Sequence, residues 1–173
     1  MKRALIVVDM LVGFLEEGKP LYCGEDARAI VPFVRDKVEE FVRAGEPVIF
    51  VKDSHAPDDA EFEMFPPHCV VGTDETQLVE ELRPYENKAT VVPKSRYSGF
   101  YNTALAALLS ELKPDLVEVV GVCTNICVLY TVEGLRNRGY TVVVHRDGVA
   151  SFDRNAHEFA LAQMKDVLGA ETR

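Results

Sequence analysis

The chain has 173 residues, enough for one hydrophobic core and few for two, so one domain over residues 1–173 is expected. It is 47% hydrophobic and 27% charged, an ordinary globular balance, and its 28 acidic against 19 basic residues give a formal net charge of −9. So acidic a surface, with no basic stripe to offset it, repels phosphate backbones and excludes nucleic acid as an expected partner.

The N-terminal segment MKRALIVVDM has the charged-then-apolar order of a leader, but its apolar run, Ala4 to Val8, stops at Asp9 after five residues. That is too short for a signal peptide or a membrane span, and no other stretch approaches 18 apolar residues. A cytoplasmic location without a membrane partner is therefore expected. The four cysteines, Cys23, Cys69, Cys123 and Cys127, are accordingly expected as thiols.

Taken in chain order, Ala4–Val8 reads as the first strand. Asp26 to Ala44 then places Ile30, Phe33, Val34, Val38, Phe41 and Val42 at helical steps, and Gly45 supplies a stop. Val48–Lys52 is the second strand. Ser54 to Thr73 has no convincing periodicity, and a loop of about twenty residues in a small domain is usually functional. Thr90–Pro93 is the third strand, followed by a helix over Thr103–Leu112 with Asn102 as candidate cap. Leu116–Val122 is the fourth strand, and Ile126–Arg138 a helix stopped by Gly139. Thr141–His145 is the fifth strand. A helix over Asn155–Leu168, capped by Asp153 or Asn155, precedes a weak sixth strand around Ala170–Arg173.

Strands alternating with helices predict right-handed βαβ units in an α/β, doubly wound, six-stranded and mostly parallel sheet with helices on both faces. Such sheets bind ligands beyond the carboxyl ends of their strands. The residues standing there are Asp9, then Asp53 and His55, then Lys94, then Cys123 to Cys127. Each is chemically competent.

Cys127 lies at the opening of a helix, where the dipole, the free N–H groups and a neighbouring ammonium would lower a thiol's pKa. A cysteine in an apolar run is otherwise a small core residue, as Cys123 at the strand end is read to be. Asp9 interrupts a buried run, which a carboxylate does only with a partner or a task. Beside a thiol and an ammonium it is placed to take the cysteine's proton and pass it to a leaving amine. Lys94, after Pro93, is either that ammonium or an ordinary solvated charge. Asp53, His55, Glu61 and His68 share the long loop, and such a set suits one divalent ion, zinc first, with iron or manganese as alternatives. Glu63 competes with Glu61, and Phe62 between them would turn the two to opposite sides of an extended segment. Phe14, Phe65, Tyr97, Phe100 and Tyr101 are candidates to line a slot for a planar ring.

These residues carry a resemblance. GVCTNICVLYT (121–131) resembles the nucleophile segment of the isochorismatase-like cysteine hydrolases, and KSRYSGF (94–100) their lysine segment. DSH (53–55) with EFEMFPPHCVVGT (61–73) is similar to the metal loop of the nicotinamidases, and HRDGVASFDRNAH (145–157) also fits. The resemblance implies a six-stranded parallel sheet flanked by helices and a triad of Asp9, Lys94 and Cys127. It implies metal ligands Asp53, His55 and His68, with Glu61 as the fourth because it stands seven residues before His68. It further implies oxyanion donors in the backbone N–H groups of Cys123 and Cys127, a cis peptide at Val122–Cys123, and pocket walls from Phe14, Phe65 and Tyr97. Two departures stand out. Asp9 is followed by MLVGF, so Val12 and Gly13 replace a usual Asn-Asp pair, and Asn125 replaces a frequent Asp.

The function so implied is hydrolysis of nicotinamide to nicotinate and ammonia in NAD salvage, with pyrazinamide as a ring analogue and a homo-oligomer as the common assembly. The alternatives are a cysteine amidase for another small amide or carbamoyl compound, or a non-catalytic ligand-binding member of the fold. An intact Asp9, Lys94 and Cys127 speak against the last.

Overall fold

A computed structural model describes residues 1–173. Six strands, β1 (Arg3–Val8), β2 (Val48–Asp53), β3 (Thr90–Lys94), β4 (Leu116–Val122), β5 (Val142–Ala150) and β6 (Glu171–Thr172), form one sheet in the order β3-β2-β1-β4-β5-β6. Every pairing is parallel. The order reverses between β1 and β4, which makes the crevice beyond their carboxyl ends the place for a ligand.

Alternate residues of the strands feed two cores. Leu5 and Val7 of β1 and Val120 and Val122 of β4 pack with α3 (Val31–Ala44) through Val31, Val34, Val38 and Phe41. Ile6, Val8, Val117 and Val119 face the other way, against α4 (Leu105–Leu112) and α5 (Leu129–Asn137) and the turn at Met164. Burial on both faces explains the near-continuous apolar strands. No helix is long and apolar enough to cross a membrane.

Several expected boundaries move. The helix foreseen from Asp26 to Ala44 is two, α2 (Glu25–Ala29) and α3, because Pro32 starts a new helix in its first turn. Gly45 ends α3 in the left-handed conformation, its N–H bonding back to Phe41 and Val42. Asn102 does not cap α4. It has a φ of 51°, and the helix begins at Leu105, whose N–H is accepted by the Thr103 hydroxyl. Asp153 does cap α6 (Arg154–Ala162), accepting from the Ala156 N–H at 2.9 Å. The fifth strand runs on to Ala150, past a register shift against β4. A short helix, α1 (Val12–Leu15), lies where no element was foreseen.

Gly121 settles how closely the central strands approach. It has a φ of 123°, and a Cβ there would stand 2.0 Å from the Val8 carbonyl oxygen. Only glycine permits the contact that sets Asp9, after Val8, beside Cys123.

Beneath α3, away from those strand ends, Glu118 is buried among cations. Its carboxylate meets His145 Nε2 at 2.6 Å, Arg3 Nη1 at 3.1 Å and Lys37 Nζ at 3.5 Å. Burial alone would raise its pKa, but the His145 hydrogen bond and the Lys37 and Arg3 charges win and hold it down to about 2. Its contribution to stability is thus present above its ordinary value of 4.5 and lost as pH falls towards about 2. Glu118→Gln should therefore flatten the acid limb of the denaturation midpoint against pH in that window. Parallel curves for the two proteins would contradict this.

Candidate active site

Asp9 follows β1 in a left-handed backbone conformation (φ 51°), which an aspartate tolerates better than most residues. The turn aims its carboxylate along the strand ends, where Oδ1 accepts the Asp53 N–H at 2.8 Å. Lys94, the last residue of β3, brings Nζ to 2.8 Å from Asp9 Oδ2 and 3.4 Å from Cys127 Sγ, and it also pairs with Asp53. Asp9, Lys94 and Cys127 are all buried, so three residues that lie far apart in sequence meet in one enclosed cluster.

Cys127 sits in a π-turn (Thr124–Val128) leading into α5. That turn uses the N–H groups of Ile126 and Val128 on the Cys123 carbonyl, while the Cys123 N–H is not among the engaged backbone donors. The Val122–Cys123 peptide is cis. Asn125 accepts the Ser151 hydroxyl at 2.5 Å, and Thr124 meets His157 Nδ1 at 2.8 Å, so two side chains brace the turn from β5 and α6.

The electrostatics correct one expectation. Burial pushes the Cys127 thiol well up. The Lys94 ammonium pulls it down, but the Asp9 and Asp53 carboxylates push it up again, and the upward effects win. Burial and the Asp53 charge likewise raise Asp9, to about 6, against the pull of Lys94. Lys94 is held well above its ordinary value, since its three anionic neighbours outweigh burial. The resting cluster is a protonated thiol beside a carboxylate of raised basicity, not the preformed thiolate expected from a helix N-terminus.

A second group adjoins the first. Donor atoms of Asp53, His55 and His68 lie within 4.8 Å of one another. His55 Nε2 stands 3.5 Å and His68 Nε2 3.8 Å from Asp53 Oδ2, and Glu61 Oε1 lies 3.7 Å from His68 Nε2, outside the mutual group of three. Glu61 is buried and Glu63 exposed, so Glu61 is the carboxylate facing this cluster. His68 Nδ1 bonds the Pro66 carbonyl, which only accepts, so Nδ1 carries the proton and Nε2 presents its lone pair. His55 Nε2 and Glu61 Oε2 are buried without a hydrogen-bond partner. Two imidazoles with free Nε2 atoms and two carboxylates fit a divalent ion such as zinc. Asp9, Asp53 and Cys127 also lie within 4.8 Å of one another. There the Lys94 ammonium already contacts all three.

Both groups open into a cavity of about 360 Å³ whose lining includes Phe14, Phe65, Tyr97, Leu21, Ile126 and Phe152. The three expected aromatics are there. Phe100 instead packs on Gly134 and under the Arg138 guanidinium, and Tyr101 is 54% exposed. Phe152 was missed because a lone aromatic after a strand has no periodicity to mark it. Gly13 explains one departure after Asp9: a Cβ there would lie 2.8 Å from Cys69 Sγ and 3.1 Å from Glu75 Cβ, so no larger residue fits without repacking.

Asp59 was also missed. Its carboxylate meets His55 Nδ1 at 3.1 Å and Arg96 Nη1 at 2.8 Å, and accepts the Glu61 N–H at 2.9 Å. It thereby fixes the His55 tautomer and starts the 3₁₀ turn (Ala60–Glu63) that carries Glu61. Asp59→Asn should weaken divalent-metal affinity about 10- to 100-fold, measured by chelator competition. An unchanged affinity would show that the pair does not orient the ring.

The isochorismatase domain family matches residues 3–172. A solved nicotinamidase/pyrazinamidase of Bacillus subtilis is 38% identical, with a TM-score of 0.95 over 99% of each chain. An N-carbamoylsarcosine amidase of Thermoplasma acidophilum is 35% identical, with a TM-score of 0.88 over 100% of this chain and 96% of that one. A pyrazinamidase of Pyrococcus horikoshii, solved in complex with zinc, is 28% identical, with a TM-score of 0.89 over 100% and 99%. With a doubly wound sheet, this strand-end cluster and a match along almost its whole length, the chain belongs to the isochorismatase family of hydrolases.

Proposed function

We propose that the protein hydrolyses nicotinamide to nicotinate and ammonia through a thioester on Cys127, feeding NAD salvage. The observation that supports this most is Asp53, whose one carboxylate touches Lys94 of the reactive cluster and faces His55 and His68 of the metal group. The two groups are thus adjoining parts of one site.

Asp9, poised near pH 6, accepts the Cys127 proton as the sulfur attacks the amide carbon. Lys94 offsets the negative charge that then lies on the Asp9–Cys127 pair. The N–H groups of Cys123 and Cys127 hold the oxyanion. Asp9 next protonates the departing ammonia and later deprotonates the water that cleaves the thioester. Phe14, Phe65 and Tyr97 flank the ring and exclude water from it. An ion held by Asp53, His55, His68 and Glu61 would supply a Lewis-acidic anchor for the pyridine nitrogen, placing the carboxamide over the thiol.

The likeness to an N-carbamoylsarcosine amidase favours one second reading, a small carbamoyl substrate. Ammonia release from nicotinamide, pyrazinamide and N-carbamoylsarcosine, measured side by side on the zinc-loaded protein, separates the two. Efficient turnover of nicotinamide is expected. Release from the carbamoyl compound alone would overturn the reading.

A further inference from the structure

Two cysteines have no part in the chemistry above as side chains, yet both line the reactive cavity. Cys23 and Cys123 are separated by 100 positions and meet with their sulfurs 3.2 Å apart, close enough for one thiol to donate to the other. They are 3% and 8% exposed. All four cysteines are free thiols, and Cys69 lies outside the cavity against Gly13 and Glu75. The Cys23 backbone is tied by its N–H to the Phe14 carbonyl at 2.8 Å, and Cys123 is fixed at the end of β4, so the pairing is built into the fold.

We propose that Cys23 and Cys123 are a reversible thiol-modification site, forming a disulfide in the cavity wall on reaction with a small peroxide and thereby shutting the active site. A bonded pair of sulfurs lies about 2.05 Å apart, so closure needs a shift of about an ångström, within reach of side-chain rotation. The chemistry balances in two steps. The Cys23 sulfur attacks hydrogen peroxide, breaking the O–O bond and giving a sulfenic acid and one water. The Cys123 sulfur then attacks that sulfenic sulfur, forming the S–S bond and releasing the second water. The two thiols lose two electrons and the peroxide gains them. Cys23 is the better first attacker, because burial and the hydrogen bond from its neighbour hold the Cys123 thiol protonated. Peroxide enters through the same cavity as substrate.

The consequence for turnover rests on the amide-hydrolysis reading. Cys123 supplies one of the two oxyanion N–H groups, and the segment before Cys23 forms the opposite wall through Pro20, Leu21 and Tyr22. A covalent tie between them moves the donor and the wall together.

The test treats the zinc-loaded full chain with a few equivalents of hydrogen peroxide, blocks remaining thiols with N-ethylmaleimide, and maps peptides without reduction. A Cys23–Cys123 linked peptide is expected, with the intact mass lower by about 2 Da for the two hydrogens lost. The link should form equally in Cys127→Ala, which removes the nucleophile as an alternative partner, and be absent in Cys23→Ser. In the wild type, amide turnover should fall at least tenfold in step with the linked fraction and return with dithiothreitol. Finding only Cys127 adducts, or a Cys123–Cys127 link, would overturn the site. Fully linked protein that still turns over at its reduced rate would overturn the control. Because the link is read by mass, it stands or falls independently of which amide the enzyme cleaves.

Discussion

Cys127→Ala is expected to lower kcat for amide hydrolysis by about 10⁴-fold or more while leaving the fold in place. The size follows from the nucleophile's part in the reaction: without sulfur there is no acyl intermediate, and Asp9 has no proton to accept and return. The fold should persist because the substitution removes a single buried atom and leaves the Lys94 ammonium with its two carboxylate partners, Asp9 and Asp53. Steady-state ammonia release and a melting curve on the same preparation test both halves. Residual activity near the wild-type level would exclude the thioester route, and loss of the cooperative transition would show that Cys127 is needed for folding. Asp9→Asn should also cost turnover, and it should remove the part of the rate that depends on a base titrating near pH 6.

Stripping divalent metal is expected to lower kcat/KM for nicotinamide by about 10²-fold, the scale of loss when a reacting group is no longer held in line. Benzamide sharpens the test, having the same shape and carboxamide but no ring nitrogen. Its slow hydrolysis gains nothing from a ring anchor, so the nicotinamide-to-benzamide ratio should collapse towards one on chelation and recover when zinc is restored. A ratio unmoved by chelation would place pyridine recognition in the aromatic walls alone. Loss of both activities in equal proportion would instead assign the metal group a supporting role, through Asp53, in holding Lys94.

The sites of chemistry were legible in the sequence for a topological reason. A parallel sheet puts every strand's carboxyl end on one edge, so Asp9, Asp53, Lys94 and Cys127 could be grouped by reading only the residue after each apolar run. Glu61 and His68 were legible as donors in a loop too long to be idle. The segments that read poorly are those without a period or with competing cues. Pro32 split one helical pattern into two, and α1 is too short to show amphipathicity. Phe100 looks like a pocket aromatic in sequence and is claimed by Gly134 and Arg138 in space.

By itself the sequence determined the order of strands and helices, the edge of the sheet that reacts and the residue types standing there, because hydrophobic period and strand ends are local properties. Only the tertiary structure decided how those residues act on one another. It joined Lys94 to both carboxylates, made Asp53 common to the reactive and metal groups, and put Asp59 behind His55 and Cys23 against Cys123. It also reversed the expected direction for the Cys127 thiol, since desolvation and neighbouring charge are set by what surrounds a group in space.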